Sequence, residues 1–260
     1  MSLPPGRPGG GGTGGRGPIG RGQGSRGQGG RGASGRGLAQ RVHTAGRRSH
    51  SSILWLERQL NDPYVAEAKR LGYRSRAAFK LIQLDDRFGF LLPGRRVIDL
   101  GAAPGGWTQV AVERCLPAGG KQGKVVGIDL TPMEAIPGAV LLVGDFLAAD
   151  APDRLKVALG GQADVVLSDM AAPATGHART DHLRIMGLAE AAYAFAQEVL
   201  RSGGIFVTKV LQGGASRDLL TALKRDFADV RHVKPAASRA DSAEIYVVAK
   251  GFRARDSKAG

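Results

Sequence analysis

Short β-branched and apolar runs alternate along this chain with segments of helical period, and that alternation leaves few folds open. The runs fall at residues 96–100, 124–129, 139–145, 163–169, 205–210 and 245–249, with a weaker one at 230–233. Between them, residues 106–114, 153–159, 181–201 and 216–227 carry helix-like patterning. Such alternation predicts an α/β protein with a mostly parallel, Rossmann-like sheet and helices on both faces. The last two runs have no helix between them, which predicts an antiparallel hairpin at the sheet edge. An apolar share of 42% over 260 residues is enough for one such core. Upstream, residues 64–88 also show helix spacing, with Ala77, Ala78, Leu81 and Leu84 as its apolar positions. Order is expected to begin near Asp62-Pro63, since proline suits a first helical turn. Ser75 is positioned to cap the second helix of that stretch.

Charge is spread unevenly. Lys and Arg number 37 against 23 Asp and Glu, a net charge of +14, and residues 1–50 supply nine arginines with no lysine and no acid. Their repeated Gly-Arg steps, such as Gly15-Arg16-Gly17 and Gly35-Arg36-Gly37, bury too little apolar surface to offset ordering entropy. Residues 1–50 are therefore expected as a disordered basic tail and 51–260 as the folded domain. The excess charge asks for a polyanionic partner. Nucleic acid fits better than a membrane because no apolar stripe accompanies the charge. No apolar run approaches the ~18 residues that a bilayer crossing needs, and no apolar leader precedes a cleavage site. A cytoplasmic location is expected. The single cysteine, Cys115, excludes a disulfide framework. His43, His50, His177, His182 and His232 fit no common ligand spacing, so no metal is expected.

The first run leads directly into Gly101-Ala102-Ala103-Pro104-Gly105-Gly106-Trp107. Glycines at a strand-to-helix turn let a ligand approach the backbone. Ala103 and Pro104 depart from G-x-G-x-x-G, and no Gly-Lys-Ser/Thr follows, so a pyrophosphate cradle is disfavoured. Asp99, Asp129, Asp145 and Asp169 close successive runs, which places four carboxylates on the rim where such sheets bind ligands. A carboxylate at Asp129 can accept both hydroxyls of a ribose. A nucleoside held without a pyrophosphate suggests S-adenosyl-L-methionine. A tight glycine turn with no ligand is the simpler alternative.

Five blocks carry a resemblance. They are Ser75-Arg76-Ala77-Ala78-Phe79-Lys80-Leu81, Asp99 through Trp107, Ser168-Asp169-Met170-Ala171, Lys209-Val210-Leu211-Gln212-Gly213-Gly214, and Lys234-Pro235 to Glu244. In this order they resemble the FtsJ/RrmJ (RlmE) family, ribose 2′-O-methyltransferases of ribosomal RNA, over roughly residues 62–252. The resemblance implies a seven-stranded S-adenosylmethionine-dependent methyltransferase sheet whose last strand is antiparallel. It implies cofactor contacts at Gly105, Trp107, Asp129, Asp145 and Asp169, with Asp145 reading the adenine amino group beside Phe146. It also implies a catalytic tetrad of Lys80, Asp169, Lys209 and Glu244. After Ala171 the family usually continues Pro-Asn, whereas this chain has Ala172-Pro173.

The implied reaction is methylation of a uridine 2′-hydroxyl in large-subunit (23S) ribosomal RNA, within the assembled or assembling 50S subunit, by a monomer. A tRNA or mRNA-cap 2′-O-methyltransferase and a non-catalytic ribosome-assembly factor are the alternatives. Taken singly, Lys80 and Glu244 read as surface charges; the joint motif reverses that. A lysine inside the apolar run Ile205-Phe206-Val207-Thr208-Lys209-Val210 is the least expected residue. It reads either as the base or as the group that orients the hydroxyl. Lys69, Arg70, Arg74, Arg76, Lys234 and Arg239 flank the rim as candidate phosphate contacts.

Overall fold

The computed structural model describes residues 60–118, 122–173, 175–212 and 217–254. The expected tail over 1–50, the first residues of the expected domain, and Gly213-Gly214 lie outside the described residues. Helix α1 (Pro63–Leu71) begins at Asp62, whose carboxylate accepts a hydrogen bond from the Tyr64 amide at 3.0 Å. Helix α2 (Ala78–Phe88) follows. Ser75 does not cap it. The carbonyls of Ser75, Arg76 and Ala77 accept from the next turn of amides, so the backbone closes the helix start, and the buried Ser75 hydroxyl has no partner among the described residues.

The remaining elements are β1 (Arg96–Leu100), α3 (Gly106–Cys115), β2 (Lys124–Asp129), β3 (Ala139–Val143), α4 (Ala151–Leu159), β4 (Ala163–Ser168), α5 (Ala178–Val199), β5 (Leu200–Leu211), α6 (Arg217–Asp226), β6 (Phe227–Val233) and β7 (Glu244–Phe252). They form one seven-stranded sheet in the order β3-β2-β1-β4-β5-β7-β6. Strands β1 to β5 run parallel, and β7 runs antiparallel to both β5 and β6. The expected hairpin thus closes this edge of the sheet, with β7 inserted between β5 and β6. Strand β5 starts earlier than its apolar run. Ser202-Gly203-Gly204 reads as a break, but a register shift against β4 between Ala163 and Val165 absorbs the extra residues.

Period-two alternation sorts the core. Ile98, Val126, Val166, Phe206 and Val247 pack on the face covered by α4, α5 and α6. Val97, Val125, Val165, Val207, Tyr246 and Val248 pack on the face covered by α2 and α3. Lys209 has the parity of Val207, and Glu244 that of Tyr246, so both belong to the α2–α3 face. Asp85 pins α2 there. Its Oδ1 accepts from the Phe90 and Leu91 amides at 2.7 Å each, and its Oδ2 pairs with Arg114 of α3.

Candidate active site

The strand order reverses between β1 and β4, and open α/β sheets bind ligands beyond the carboxyl ends at such a switch point. A cleft of about 370 Å³ lies there, lined by residues that include Gly101, Ala103, Asp129, Thr131, Asp145, Phe146, Asp169 and Met170. Gly101 (φ 77°) lets the loop after β1 pass against the loop after β4, where a Cβ would come within 2.9 Å of the Met170 Cα. Asp129 ties the glycine loop to β2. Its Oδ2 accepts from the Ala103 amide at 3.0 Å and its Oδ1 from the Thr131 amide at 2.8 Å. Asp145 lies two residues beyond β3 and accepts from the Leu147 amide at 2.9 Å. Phe146 is anchored edge-on to Phe195. Among the described residues, three carboxylates line this cleft and no lysine, arginine or histidine does.

Gly105 and Trp107 are not part of the cleft lining. Gly105 takes φ 112° ahead of α3 and is crowded by Ile136 and Arg74. The Trp107 indole is 3% exposed, donates to the Ala77 carbonyl at 2.8 Å and packs on Tyr246. Their side of the turn shapes the loop, while Gly101, Ala103 and the carboxylates face the space.

The tetrad residues converge. Lys209 Nζ lies 2.8 Å from the Asp169 carbonyl and 3.2 Å from Asp169 Oδ1. Lys80 Nζ lies 3.0 Å from Glu244 Oε2. Tyr246 joins the two pairs, which sequence reading missed. Its hydroxyl donates to Asp169 Oδ1 at 2.7 Å and accepts from Lys80 Nζ at 3.1 Å. Burial, and next the Asp169 carboxylate, hold the Tyr246 phenol well above its usual 10, so it remains a neutral donor. Register explains the meeting, because Lys209 pairs with Tyr246 across β5 and β7. The signal was present: Tyr246 stands two residues after Glu244 in a strand, and so shares its face.

Asp99 does not reach the rim. It is the fourth residue of β1 and fully buried, with Oδ2 accepting from the Thr108 hydroxyl at 2.7 Å and Oδ1 without a partner among the described residues. Burial pushes this carboxyl up to about 7. The Thr108 hydrogen bond opposes the rise, and the Asp169 and Asp129 charges add to it. Unfolded, the group returns to about 3.9. Its contribution to stability is therefore complete below about pH 4 and disappears as pH climbs toward 7, on the order of 1.4 kcal/mol for each pH unit crossed. Urea titrations at pH 4.5 and 7.5 should show this loss in the wild-type chain and a smaller one in Asp99→Asn. Equal losses in both would remove Asp99 from the account.

The basic flank divides. Arg74 donates to the Glu134 and Ala135 carbonyls at 2.8 and 2.9 Å, strapping that loop. Lys234 binds the Ala240 and Ser242 carbonyls. Arg70 pairs with Glu67. Arg76 pairs with Asp62 at 2.8 Å and donates to the Ala237 carbonyl. Lys69 is exposed. No helix among the described residues is long and apolar enough to cross a membrane.

Comparison with known proteins bears on this site. The family model for FtsJ-like methyltransferases matches residues 73–252. The chain is 68% identical over 219 residues to the ribosomal RNA large subunit methyltransferase E of Paramagnetospirillum magneticum, covering 83% of this chain and 89% of that protein. It is 59% identical over 224 residues to the protein of the same name from Parvibaculum lavamentivorans, covering 84% and 88%. A Plasmodium falciparum crystal structure described as a ribosomal RNA methyltransferase superposes with a TM-score of 0.61 at 33% identity, covering 70% of this chain and 100% of that one.

Proposed function

The chain belongs to the FtsJ-like methyltransferase family, and from that premise we propose that it moves the methyl group of S-adenosyl-L-methionine to a uridine ribose 2′-hydroxyl in large-subunit ribosomal RNA. One observation carries the reading. A cleft lined by three carboxylates and no cation ends at Asp169, the residue that also holds the buried amine of Lys209. That lining repels a pyrophosphate and suits a nucleoside bearing positive charge. The relatives' names supply the RNA.

The residues present fit the cofactor. Asp129 would take the ribose hydroxyls through the lone pairs its two amide donors leave open. Asp145 would accept from the adenine amino group, with Phe146 beside the ring. When bound, the cofactor supplies a methyl already activated by positive sulfur. The chain then has to align an oxygen with it and handle one proton. Positioning of this kind is worth several kcal/mol.

Asp169 fills two of the three directions around Lys209 Nζ, leaving the third for the acceptor hydroxyl. Lys80, held by Glu244 and Tyr246, supplies a second cation near the oxygen as it gains negative charge. Both lysines are nearly dry, at 5% and 8% exposed, which strengthens these interactions.

Incubating the purified chain with methyl-labelled S-adenosylmethionine and separate pools of unmodified large subunits, small subunits and tRNA tests the reading. Label should enter large-subunit RNA at an alkali-resistant uridine linkage. Label confined to tRNA, or to a base, would overturn it.

A further inference from the structure

Among the described charged residues, only Asp99 is wholly buried. It stands two residues before Gly101, which lines the cofactor cleft, and forms no part of that lining itself. Its neighbours across the sheet, Gly127 of β2 and Leu167 of β4, bring no charge. The carboxylates nearby belong to the cleft. The carbonyl of Leu100, the next residue of β1, accepts from the Asp169 amide at 3.2 Å. Asp129 ends β2 two positions beyond Gly127. Two of the three carboxylates that line the cleft therefore act electrostatically on a third group sealed behind them.

The two oxygens of Asp99 are unequal. Oδ2 accepts from the Thr108 hydroxyl of α3, whereas Oδ1 has no partner among the described residues. An ionised carboxyl is hard to bury with one oxygen unpaired, and a protonated one is not. The charges of the surrounding elements do not favour ionisation either. Asp169, after β4, carries Lys209 of β5 as its ion-pair partner, Lys80 of α2 is paired with Glu244 of β7, and Asp129 holds amides alone. Burial raises the Asp99 carboxyl to about 7, with the Thr108 hydrogen bond opposing and the Asp169 and Asp129 charges adding. A group poised there answers to the charge of whatever fills the cleft, because a cation beside it favours its ionised form and a neutral group does not.

Building on the methyl-transfer reading, we propose that Asp99 distinguishes the charged cofactor from its neutral product: the sulfonium of S-adenosyl-L-methionine drives Asp99 to its carboxylate, and the thioether of S-adenosylhomocysteine leaves it protonated. The proton passes to solvent when the cofactor binds. It is taken back once the sulfur has lost its methyl group and its charge, so a full cycle leaves Asp99 unchanged, and the proton of the acceptor hydroxyl is a separate one. The buried anion attracts the sulfonium, and preference for the cofactor over the product therefore grows as pH rises through about 7. Such a preference favours exit of the product from a cleft that both molecules fit.

Calorimetric binding of S-adenosylmethionine and of S-adenosylhomocysteine to the full-length chain, each in two buffers of different ionisation heat, counts the protons released. If the sulfonium lowers the Asp99 pKa by about one unit, the cofactor should release roughly half a proton more than the product at pH 6.5, and the ratio of the two affinities should rise about fivefold from pH 6 to pH 8. Both effects are read as the excess of wild type over Asp99→Asn, which cannot ionise, so titration of the ligands themselves cancels. Thr108→Val keeps the carboxyl and removes the donor that favours its ionised form. In that variant the midpoint of the rise should move to higher pH, a result that does not depend on Asp99→Asn folding. Equal proton release by the two ligands in wild type would overturn the proposal. So would an excess that persists in Asp99→Asn, or a midpoint unmoved in Thr108→Val. A wild-type chain that binds neither ligand fails the methyl-transfer reading instead, and the two failures remain distinguishable.

Discussion

Replacing Lys209 with alanine is expected to lower methyl transfer about 10³-fold while leaving S-adenosylmethionine affinity within about threefold of wild type. Among the described residues, Lys209 makes its side-chain polar contacts with Asp169, and it does not itself line the cleft. The carboxylates at Asp129, which ends β2, and Asp145, just after β3, would hold the nucleoside. Loss of the amine leaves Asp169 with the Tyr246 hydroxyl as a donor, so the residue keeps a partner and the site its frame. Single-turnover transfer beside calorimetric cofactor binding separates the two effects. Turnover within tenfold of wild type would end the assignment. Lys209→Arg then distinguishes base from orienting cation. A guanidinium cannot accept a proton, so activity surviving in that variant marks the residue as one that orients and stabilises rather than deprotonates.

Asp129→Ala carries the second large effect, on cofactor affinity. The wild-type carboxylate would accept two ribose hydroxyls while anchoring the Ala103 and Thr131 amides. Charge-assisted hydrogen bonds are worth about 1.5–3 kcal/mol each, so losing two should raise the dissociation constant for S-adenosylhomocysteine about 10²- to 10⁴-fold. An analogue lacking the ribose hydroxyls should bind wild type as weakly as it binds the variant. If instead the variant still discriminates the two ligands, the hydroxyls are read elsewhere in the cleft.

Much of this site was readable in the sequence because its parts follow local rules. Asp129 closes an apolar run, which puts it at a carboxyl end in any parallel sheet. Lys209 interrupts an otherwise apolar strand, and burying a lysine needs a partner of opposite charge. Asp99 obeyed the same pattern and was misplaced. It sits one residue short of the strand end, and a single position separates a cleft carboxylate from one sealed beneath α3. Trp107, an implied cofactor contact, has its indole N–H on the Ala77 carbonyl and its ring against Tyr246, contacts the sequence did not foretell. Among the basic residues, composition could not separate Arg74, strapped to backbone carbonyls, from Arg239, whose one partner among the described residues is the Asp62 carboxylate at 3.7 Å.

The amino-acid order alone pointed to the stretches that form the cores of the strands and to the end of the sheet where the cleft lies. Those properties depend on hydrophobic period and on a few neighbouring residues, and they survive in any arrangement of the strands. Only the folded chain decided that β7 lies between β5 and β6 and that β4 lies beside β1. Strand pairing is chosen by contacts among residues far apart in sequence, such as Lys209 with Tyr246, or Lys80 with Glu244 across 164 positions. That choice turned residues scattered along the chain into one hydrogen-bonded line.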